Sequence, residues 1–220
     1  MADFPFDTIA FDLDGTLADT APDLAAALNH ALAMLGRRPI EPDSVRYLVG
    51  HGARALLRRG LAVTGEASEE LVERGFPHFI HFYAAHICVR TRAYPGVEAA
   101  LEALDAEGVR LALCTNKPEM LTVKLLAALG WEGRFGGIVA GDTLPLRKPD
   151  PAPLFEAIDR AGGGRAAFIG DSIIDAETAR AARLPFVAVS FGFSDRPVTE
   201  FGATAIINSF DALVPTLLQL

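Results

Sequence analysis

The stretch TIAFDLDGTLADT, residues 8–20, decides the fold class of this chain. Its first four residues are apolar or small, as is typical of a buried strand, and the carboxylates of Asp12 and Asp14 follow directly. Two like charges this close repel each other and are costly to remove from water, so something at the site must compensate for them. The stretch therefore predicts a strand that ends at a functional site.

Similar short apolar runs recur along the chain, with helical patterns between them. They are VRLALC (109–114), GIVA (137–140), AAFIG (166–170), FVAVS (186–190) and TAII (204–207). Strands that alternate with helices indicate an α/β fold, here a doubly wound, mainly parallel, Rossmann-like sheet with helices on both faces. In such a sheet ligands bind at the carboxyl ends of the strands.

The alternation fails between the first and second runs, where the pattern from about Ala18 to Arg92 is helical. The segment APDLAAALNHALAMLG, residues 21–36, carries a one-sided apolar stripe before its final glycine, and residues 71–87 repeat the spacing with aromatic side chains. These patterns predict an all-helical insertion over residues 18–92. The α/β core then consists of residues 1–17 and 93–220.

Polar side chains follow four of the predicted strands or open the next helix. They are Asp12 and Asp14 in DLDGT, Thr115 and Asn116 in CTNKP, Lys148 in RKPDP, and Asp171 and Asp175 in GDSIIDAE. Each group alone reads as a turn, a helix cap or a solvated loop. Together they converge on one edge of the sheet, where clustered carboxylates predict Mg²⁺ and the lysine and threonine predict a phosphoryl group. The residues therefore indicate phosphoryl transfer.

Composition narrows the class of partner. The chain has 220 residues, half of them hydrophobic, and a net charge of −8 without a basic cluster. This balance argues against nucleic acid and anionic membranes, and we expect a small phosphorylated metabolite as the partner. The amino terminus has neither the basic nor the apolar region of a signal peptide, and no apolar run reaches the length of a membrane span. We therefore expect a cytoplasmic protein.

The motifs DLDGT, TNK, KPDP and GDSIID resemble, in order, the four motifs of the haloacid dehalogenase superfamily of phosphohydrolases. The helical insertion is similar to the cap domain that this superfamily places after the first motif. Within it the chain most resembles the phosphoglycolate phosphatases, through FDLDGTLADTAPDLAAA, RKPDPAPL and IGDSIIDAETARAA. The resemblance implies Mg²⁺-dependent hydrolysis of a small phosphate monoester, 2-phosphoglycolate first, by a monomer or homodimer.

The resemblance also implies roles for the site residues. Asp12 would attack phosphorus and form an aspartyl-phosphate, while Asp14 would protonate the leaving alkoxide and then take a proton from water. Mg²⁺ would be held by Asp12, the backbone carbonyl of Asp14, and Asp171, with Asp175 supporting it directly or through water. The residues assigned to the phosphoryl group are Thr16, which orients the motif, Thr115, Asn116 and Lys148.

We expect the residues that select the substrate to lie in the cap, because a cap that closes over the site excludes water. We hypothesise that the segment VGHGARAL, residues 49–56, makes this contact. Its two glycines permit a tight loop, and Arg54 or His51 would meet a carboxylate such as that of 2-phosphoglycolate. The alternative is a turn between helices in which Arg54 is solvated.

Other activities remain open at this stage. An inorganic pyrophosphatase would share the core chemistry, and a sugar phosphatase or a phosphomutase of the β-phosphoglucomutase kind would share Asp12 and Asp14. The dehalogenases lack an acid at the position of Asp14, because halide leaves without a proton. A non-catalytic regulator that retains the fold would predict a damaged set of motifs, yet no member is missing.

Overall fold

The computed structural model describes residues 4–194 and 196–220, so the first three residues of the predicted core lie outside the described residues. The strands in chain order are β1 (Thr8–Phe11), β2 (Ala18–Asp19), β3 (Arg92–Ala93), β4 (Arg110–Cys114), β5 (Gly137–Val139), β6 (Ala166–Gly170), β7 (Phe186–Val189) and β8 (Ala205–Ile207). Six of them form one parallel sheet in the order β5-β4-β1-β6-β7-β8. The predicted α/β fold is confirmed, and each predicted strand is present to within one residue at either end.

Strand β1 lies in the middle of the sheet, between β4 and β6. Phe11, its last residue, is in register with Leu113 of β4 and Ile169 of β6. The three strands therefore end side by side. The chain positions that follow them carry the polar motifs, so the register alone brings these motifs to one crevice.

Helices cover both faces of the sheet. The helices in chain order are α1 (Ala21–Met34), α2 (Pro42–Val45), α3 (Ala53–Thr64), α4 (Glu69–Ala85), α5 (Val97–Ala106), α6 (Glu119–Leu129), α7 (Ala152–Arg160), α8 (Ile173–Ala182) and α9 (Leu213–Leu217). Ile9 and Phe11 pack on the face that carries α5 and α9, and Ala10 packs on the face that carries α7 and α8, as the two-residue period of a strand requires. Within the described part of the chain, we find no helix whose length and apolarity would let it cross a bilayer.

Helices α1 to α4 form a second layered body with a hydrophobic cluster of its own. Leu28, Leu57 and Phe79 are fully buried in this cluster, and each comes from a different helix. Leu121 of α6 is buried among them, so the helical insertion packs directly against the core. In this position the insertion covers the carboxyl ends of the central strands.

The two chain crossings between insertion and core pair with each other. Strands β2 and β3 form a short antiparallel ribbon, which the sequence analysis did not predict because two residues carry no periodicity. Asp23 of α1 strengthens the junction, since its carboxylate accepts hydrogen bonds from the backbone N–H groups of Arg90 and Thr91 and from the Thr91 hydroxyl. Entry and exit of the insertion are thus held together at one hinge.

Candidate active site

Asp12 stands at the end of β1 with its side chain turned into the protein. The residue is 7% exposed, and its Oδ1 lies 2.9 Å from Lys148 Nζ. This ion pair with Lys148 is the polar contact of that oxygen among the described residues. Burial raises the pKa of the Asp12 carboxyl to about 6, although the Lys148 charge opposes the shift. A buried carboxylate oxygen with an open lone pair is suited to a cation or an electrophile.

Asp171 follows β6 and is held from two sides. Its Oδ1 accepts a hydrogen bond from Thr16 Oγ1 at 3.0 Å, and its Oδ2 accepts one from the backbone N–H of Phe193 at 2.6 Å. Burial raises the pKa of Asp171 well above its usual value, and the charges of Asp175 and Asp12 raise it further. The carboxylate is therefore fixed in place while still short of positive charge.

Asp175 is fully buried in the first turn of α8. Together with Ser172 it forms a capping box, in which its Oδ2 accepts hydrogen bonds from the Ser172 backbone N–H and hydroxyl. Its Oδ1 lies 2.6 Å from Lys148 Nζ. Both of its oxygens are therefore already engaged.

The three carboxylates form one cluster. Asp12, Asp171 and Asp175 each offer an oxygen, and these oxygens lie within 4.8 Å of one another. Lys148, which is 4% exposed, is the cation that faces Asp12 and Asp175. Burial would lower the Lys148 pKa, but these two carboxylates raise it above its ordinary value, so the lysine stays charged. Three acidic groups with one ammonium, which contacts two of them, leave negative charge in excess, and hard oxygen donors of this kind fit a divalent cation.

Asp14 faces away from this cluster. Lys117 Nζ contacts both of its carboxylate oxygens, at 2.9 and 3.2 Å, and also donates to the hydroxyl of Tyr83 at 2.8 Å. Tyr83 belongs to α4, so the contact joins the core to the helical insertion. The two neighbouring carboxylates of the opening motif are thus paired with different lysines, which lets both exist in one crevice.

A partly open cavity lies between the core and the helical insertion, with Asp12 of the carboxylate cluster in its wall. We call it the central cavity; it is lined by Asp12, Asp14, Leu24, Val49, Gly50, Gly52, Ala53, Leu56, Phe79, Tyr83, Thr115, Asn116, Lys117, Pro118 and Leu121. Its volume is about 30 Å³, room for roughly two water molecules. Entry of a phosphate ester therefore requires the helical insertion to move away from the core.

Two residues that the sequence analysis assigned to the phosphoryl group have other contacts. Thr16 is fully buried and does not line the central cavity, and its hydroxyl donates to Asp171, as suits the orienting role expected from the sequence; a contact with the phosphoryl group stays a prediction. Asn116 lines the cavity, but its amide donates to the carbonyls of Gly50 and Lys148, which ties the insertion to the core. Thr115 lines the cavity with its hydroxyl hydrogen available, since Oγ1 only accepts from the Lys117 backbone N–H.

The structure does not bring Arg54 or His51 to the central cavity. Arg54 forms an ion pair with Glu73 and lies 4.1 Å from the ring centroid of Phe76, both on α4. His51 lines two neighbouring grooves between its loop and the core, one of which it shares with Lys148. That either residue meets the substrate carboxylate stays a prediction.

Lys117 is the site residue that sequence reasoning missed. It is one position beyond Asn116 in CTNKP and only 4% exposed. A lysine before proline reads as a solvated loop, and its burial depends on Tyr83, which is 34 positions away in the chain. The available signal was its place at the end of β4, the same strand end that supplies Thr115.

Comparisons with known proteins agree with this geometry. A model of the haloacid dehalogenase-like hydrolase family matches residues 6–183. The phosphoglycolate phosphatase of Agrobacterium fabrum is 42% identical over 212 residues, which cover 95% of this chain and 91% of that protein. The phosphoglycolate phosphatase of Caulobacter vibrioides is 45% identical over 210 residues, covering 92% and 87%. Among solved structures, a predicted phosphoglycolate phosphatase from Haemophilus somnus gives a TM-score of 0.90 at 31% identity, over 96% of this chain and 97% of that one.

Proposed function

Because this chain belongs to the haloacid dehalogenase-like hydrolases and is a phosphatase of that family, we propose that it hydrolyses 2-phosphoglycolate to glycolate and phosphate with Mg²⁺. The observation that carries the proposal is the buried cluster of Asp12, Asp171 and Asp175, two of them paired with Lys148, beside a cavity that the core and the helical insertion line together. We further propose that this insertion, predicted over residues 18–92, is the cap of the enzyme.

The residues divide the chemistry between them. Asp12 is the nucleophile, because its carboxylate lines the central cavity and the fixed positive charge of Lys148 lies 2.9 Å from its Oδ1. Asp14 faces the leaving group and moves the proton, first to the ester oxygen and then from the attacking water. Thr115 and Lys148 hold the phosphoryl oxygens, and Lys148 also offsets the charge that grows there in the transition state.

Mg²⁺ fits the donor set of Asp12, the backbone carbonyl of Asp14, and Asp171. When bound, it neutralises carboxylate and phosphoryl charge so that the anions approach each other. We propose that Asp175 supports this shell through water, since both of its oxygens are engaged by Ser172 and Lys148. Thr16 and the Phe193 N–H keep Asp171 aimed at the site.

The walls of the central cavity favour a small substrate. Leu24, Val49, Leu56, Phe79 and Leu121 line it with apolar side chains. A sugar phosphate would bring several hydroxyl groups against these walls and leave them without partners. The geometry therefore supports a short monoester over the sugar phosphatase and phosphomutase alternatives.

Phosphate release from a panel of substrates tests the proposed activity. We expect Mg²⁺-dependent hydrolysis of 2-phosphoglycolate with a higher kcat/KM than for pyrophosphate, glucose 6-phosphate or β-glucose 1-phosphate. Chelation of Mg²⁺ should abolish the activity, and its return should restore it. Preference for pyrophosphate or a sugar phosphate would contradict the proposed substrate, and no release from any monoester would contradict the enzyme.

Mg²⁺ affinity is expected to fall as the pH drops through about 6. The raised pKa of Asp12 means that the folded metal-free protein takes up a proton near pH 6, well above the pH at which an unfolded aspartate does so. The cation requires the ionised carboxylate, so protons and Mg²⁺ compete. Titration calorimetry in buffers of different ionisation enthalpy should show more proton release on binding at pH 6 than at pH 8. Equal release at both values would contradict the assignment of Asp12 as a ligand.

Gly192→Ala is expected to raise the Mg²⁺ concentration for half-maximal activity by about tenfold to a hundredfold. A Cβ at Gly192 would lie 2.1 Å from Asp171 Cβ and 2.6 Å from the backbone oxygen of Gly15, so Asp171 must shift. Gly136→Ala is the matched control, because its Cβ would have no neighbour closer than 3.5 Å. Mg²⁺ activation curves of the two variants measure the difference, and coincident curves would argue against Asp171 as a ligand.

A further inference from the structure

Lys117 is a buried cation inside the central cavity. Its side chain is 2% exposed, and its ammonium contacts Asp14 Oδ1 at 2.9 Å and the Tyr83 hydroxyl at 2.8 Å. It also lies 4.5 Å from the centroid of the Tyr83 ring. Burying a lysine side chain costs free energy unless its ammonium group is paired. The carboxylate of Asp14 in the core and the phenol of Tyr83 in α4 provide this pairing.

Lys117 is also the only positively charged side chain among the described residues that line this cavity. Lys148 lies below the cavity, between Asp12 and Asp175, where it faces the phosphoryl position. A substrate that carries a second anion beside its phosphoryl group would therefore find one remaining cation. The apolar walls strengthen that interaction, because little water is present to screen it.

The position of Lys117 matches the shape of the proposed substrate, so the next step rests on the proposed function. In the proposed mechanism Asp14 protonates the ester oxygen, and Lys117 contacts the carboxylate of Asp14. In 2-phosphoglycolate a single methylene separates the ester oxygen from the carboxylate carbon. A group that contacts Asp14 from the cavity side is therefore next to the substrate carboxylate.

We infer that Lys117 is the residue that binds the carboxylate of the substrate and so sets the specificity of the enzyme for carboxylated phosphate monoesters. Tyr83 holds the ammonium from the side of the helical insertion, so the pocket for the carboxylate is complete only when the insertion closes. Before the substrate enters, both carboxylate oxygens of Asp14 contact the ammonium group of Lys117. The carboxylate of the substrate then replaces some of these contacts. An ester without a carboxylate is affected by Lys117 only through its contact with Asp14.

The test compares 2-phosphoglycolate with ethyl phosphate, which has the same reacting bond and lacks the carboxylate. Lys117→Met is expected to lower the ratio of the two kcat/KM values by about tenfold to a hundredfold, the range for a lost hydrogen bond between charged groups. The loss should fall mainly on the KM for 2-phosphoglycolate. Tyr83→Phe keeps the ammonium and removes its support, and a drop of about threefold in the same ratio is expected.

The outcomes separate this inference from the proposed function. A wild-type protein that hydrolyses both esters equally well would contradict 2-phosphoglycolate as the substrate. A wild-type preference that survives Lys117→Met, or an equal loss on both esters, would overturn the role of Lys117 alone. If Lys117→Met fails to fold, an unchanged ratio in Tyr83→Phe overturns it. If Arg54→Ala loses the preference for 2-phosphoglycolate over ethyl phosphate while Lys117→Met keeps it, Arg54 and not Lys117 binds the substrate carboxylate.

Discussion

Replacing Asp12 with asparagine is expected to lower kcat for 2-phosphoglycolate by a factor of about 10⁴ or more. The amide is close in shape to the carboxylate, but it is a poor nucleophile and carries no charge for Mg²⁺. The variant should fold, because the change removes one of the like charges that crowd the cluster, and Lys148 keeps its contact with Asp175. We therefore expect a stable, inactive protein.

Steady-state phosphate release measures this effect, and circular dichroism checks the fold. Asp43→Asn is the matched control, since Asp43 is an exposed residue of α2, remote from the carboxylate cluster. The control should keep the activity of the parent. Retention of a tenth or more of the activity by Asp12→Asn would contradict a nucleophilic role for this carboxylate.

Lys148→Met is expected to have the largest effect on stability. The Lys148 side chain is 2% exposed and lies 2.9 Å from Asp12 and 2.6 Å from Asp175, so its removal leaves buried carboxylates without their counter-charge. Breaking a buried pair in this way costs about 3–5 kcal/mol in the free energy of unfolding. Activity should fall by about a hundredfold to a thousandfold, because the phosphoryl group loses a fixed positive charge.

Urea unfolding with and without Mg²⁺ measures the loss of stability. The deficit should shrink when Mg²⁺ is added, and it should also shrink as the pH is lowered, from a pH above 6, because loss of the Lys148 charge raises the Asp12 pKa further and protonation of Asp12 removes one uncompensated charge. Lys124→Met, at an exposed position of α6, is the matched control and should change stability by no more than about 0.5 kcal/mol. Equal free energies of unfolding for Lys148→Met and Lys124→Met would mean that the carboxylate cluster does not depend on Lys148.

The sheet could be predicted from sequence because its strands are buried on both faces and separated by helical patterns. Parallel topology predicted that Asp12, Thr115 and Asp171 share one edge of the sheet, whereas the order that puts β1 between β4 and β6 is known only from the structure. In these elements, the strands that the local apolar pattern predicts are the strands found in the sheet. The ribbon of β2 and β3 escaped prediction because strands of two residues form only where two distant linkers meet.

The contacts between the helical insertion and the core could not be predicted, for a physical reason. Helical periodicity identifies the apolar face of α3, but it does not say which neighbour a charged residue at the edge of that face meets. Arg54 meets Glu73 and Phe76 of α4, whereas Lys117, in a loop of the core, meets Tyr83. Substrate recognition depends on this docking, so the sequence indicates the reaction more securely than the substrate.

Trapping the covalent intermediate tests most directly whether Asp12 attacks phosphorus. Turnover of 2-phosphoglycolate with Mg²⁺ would be quenched in acid, the acyl phosphate reduced with borohydride, and the peptides analysed by mass spectrometry. We expect reduction of a single carboxyl group, that of Asp12, in the wild-type protein and none in Asp12→Asn. Rapid product formation with no modified Asp12, or with modification of Asp14 or Asp171 instead, would contradict the aspartyl-phosphate mechanism.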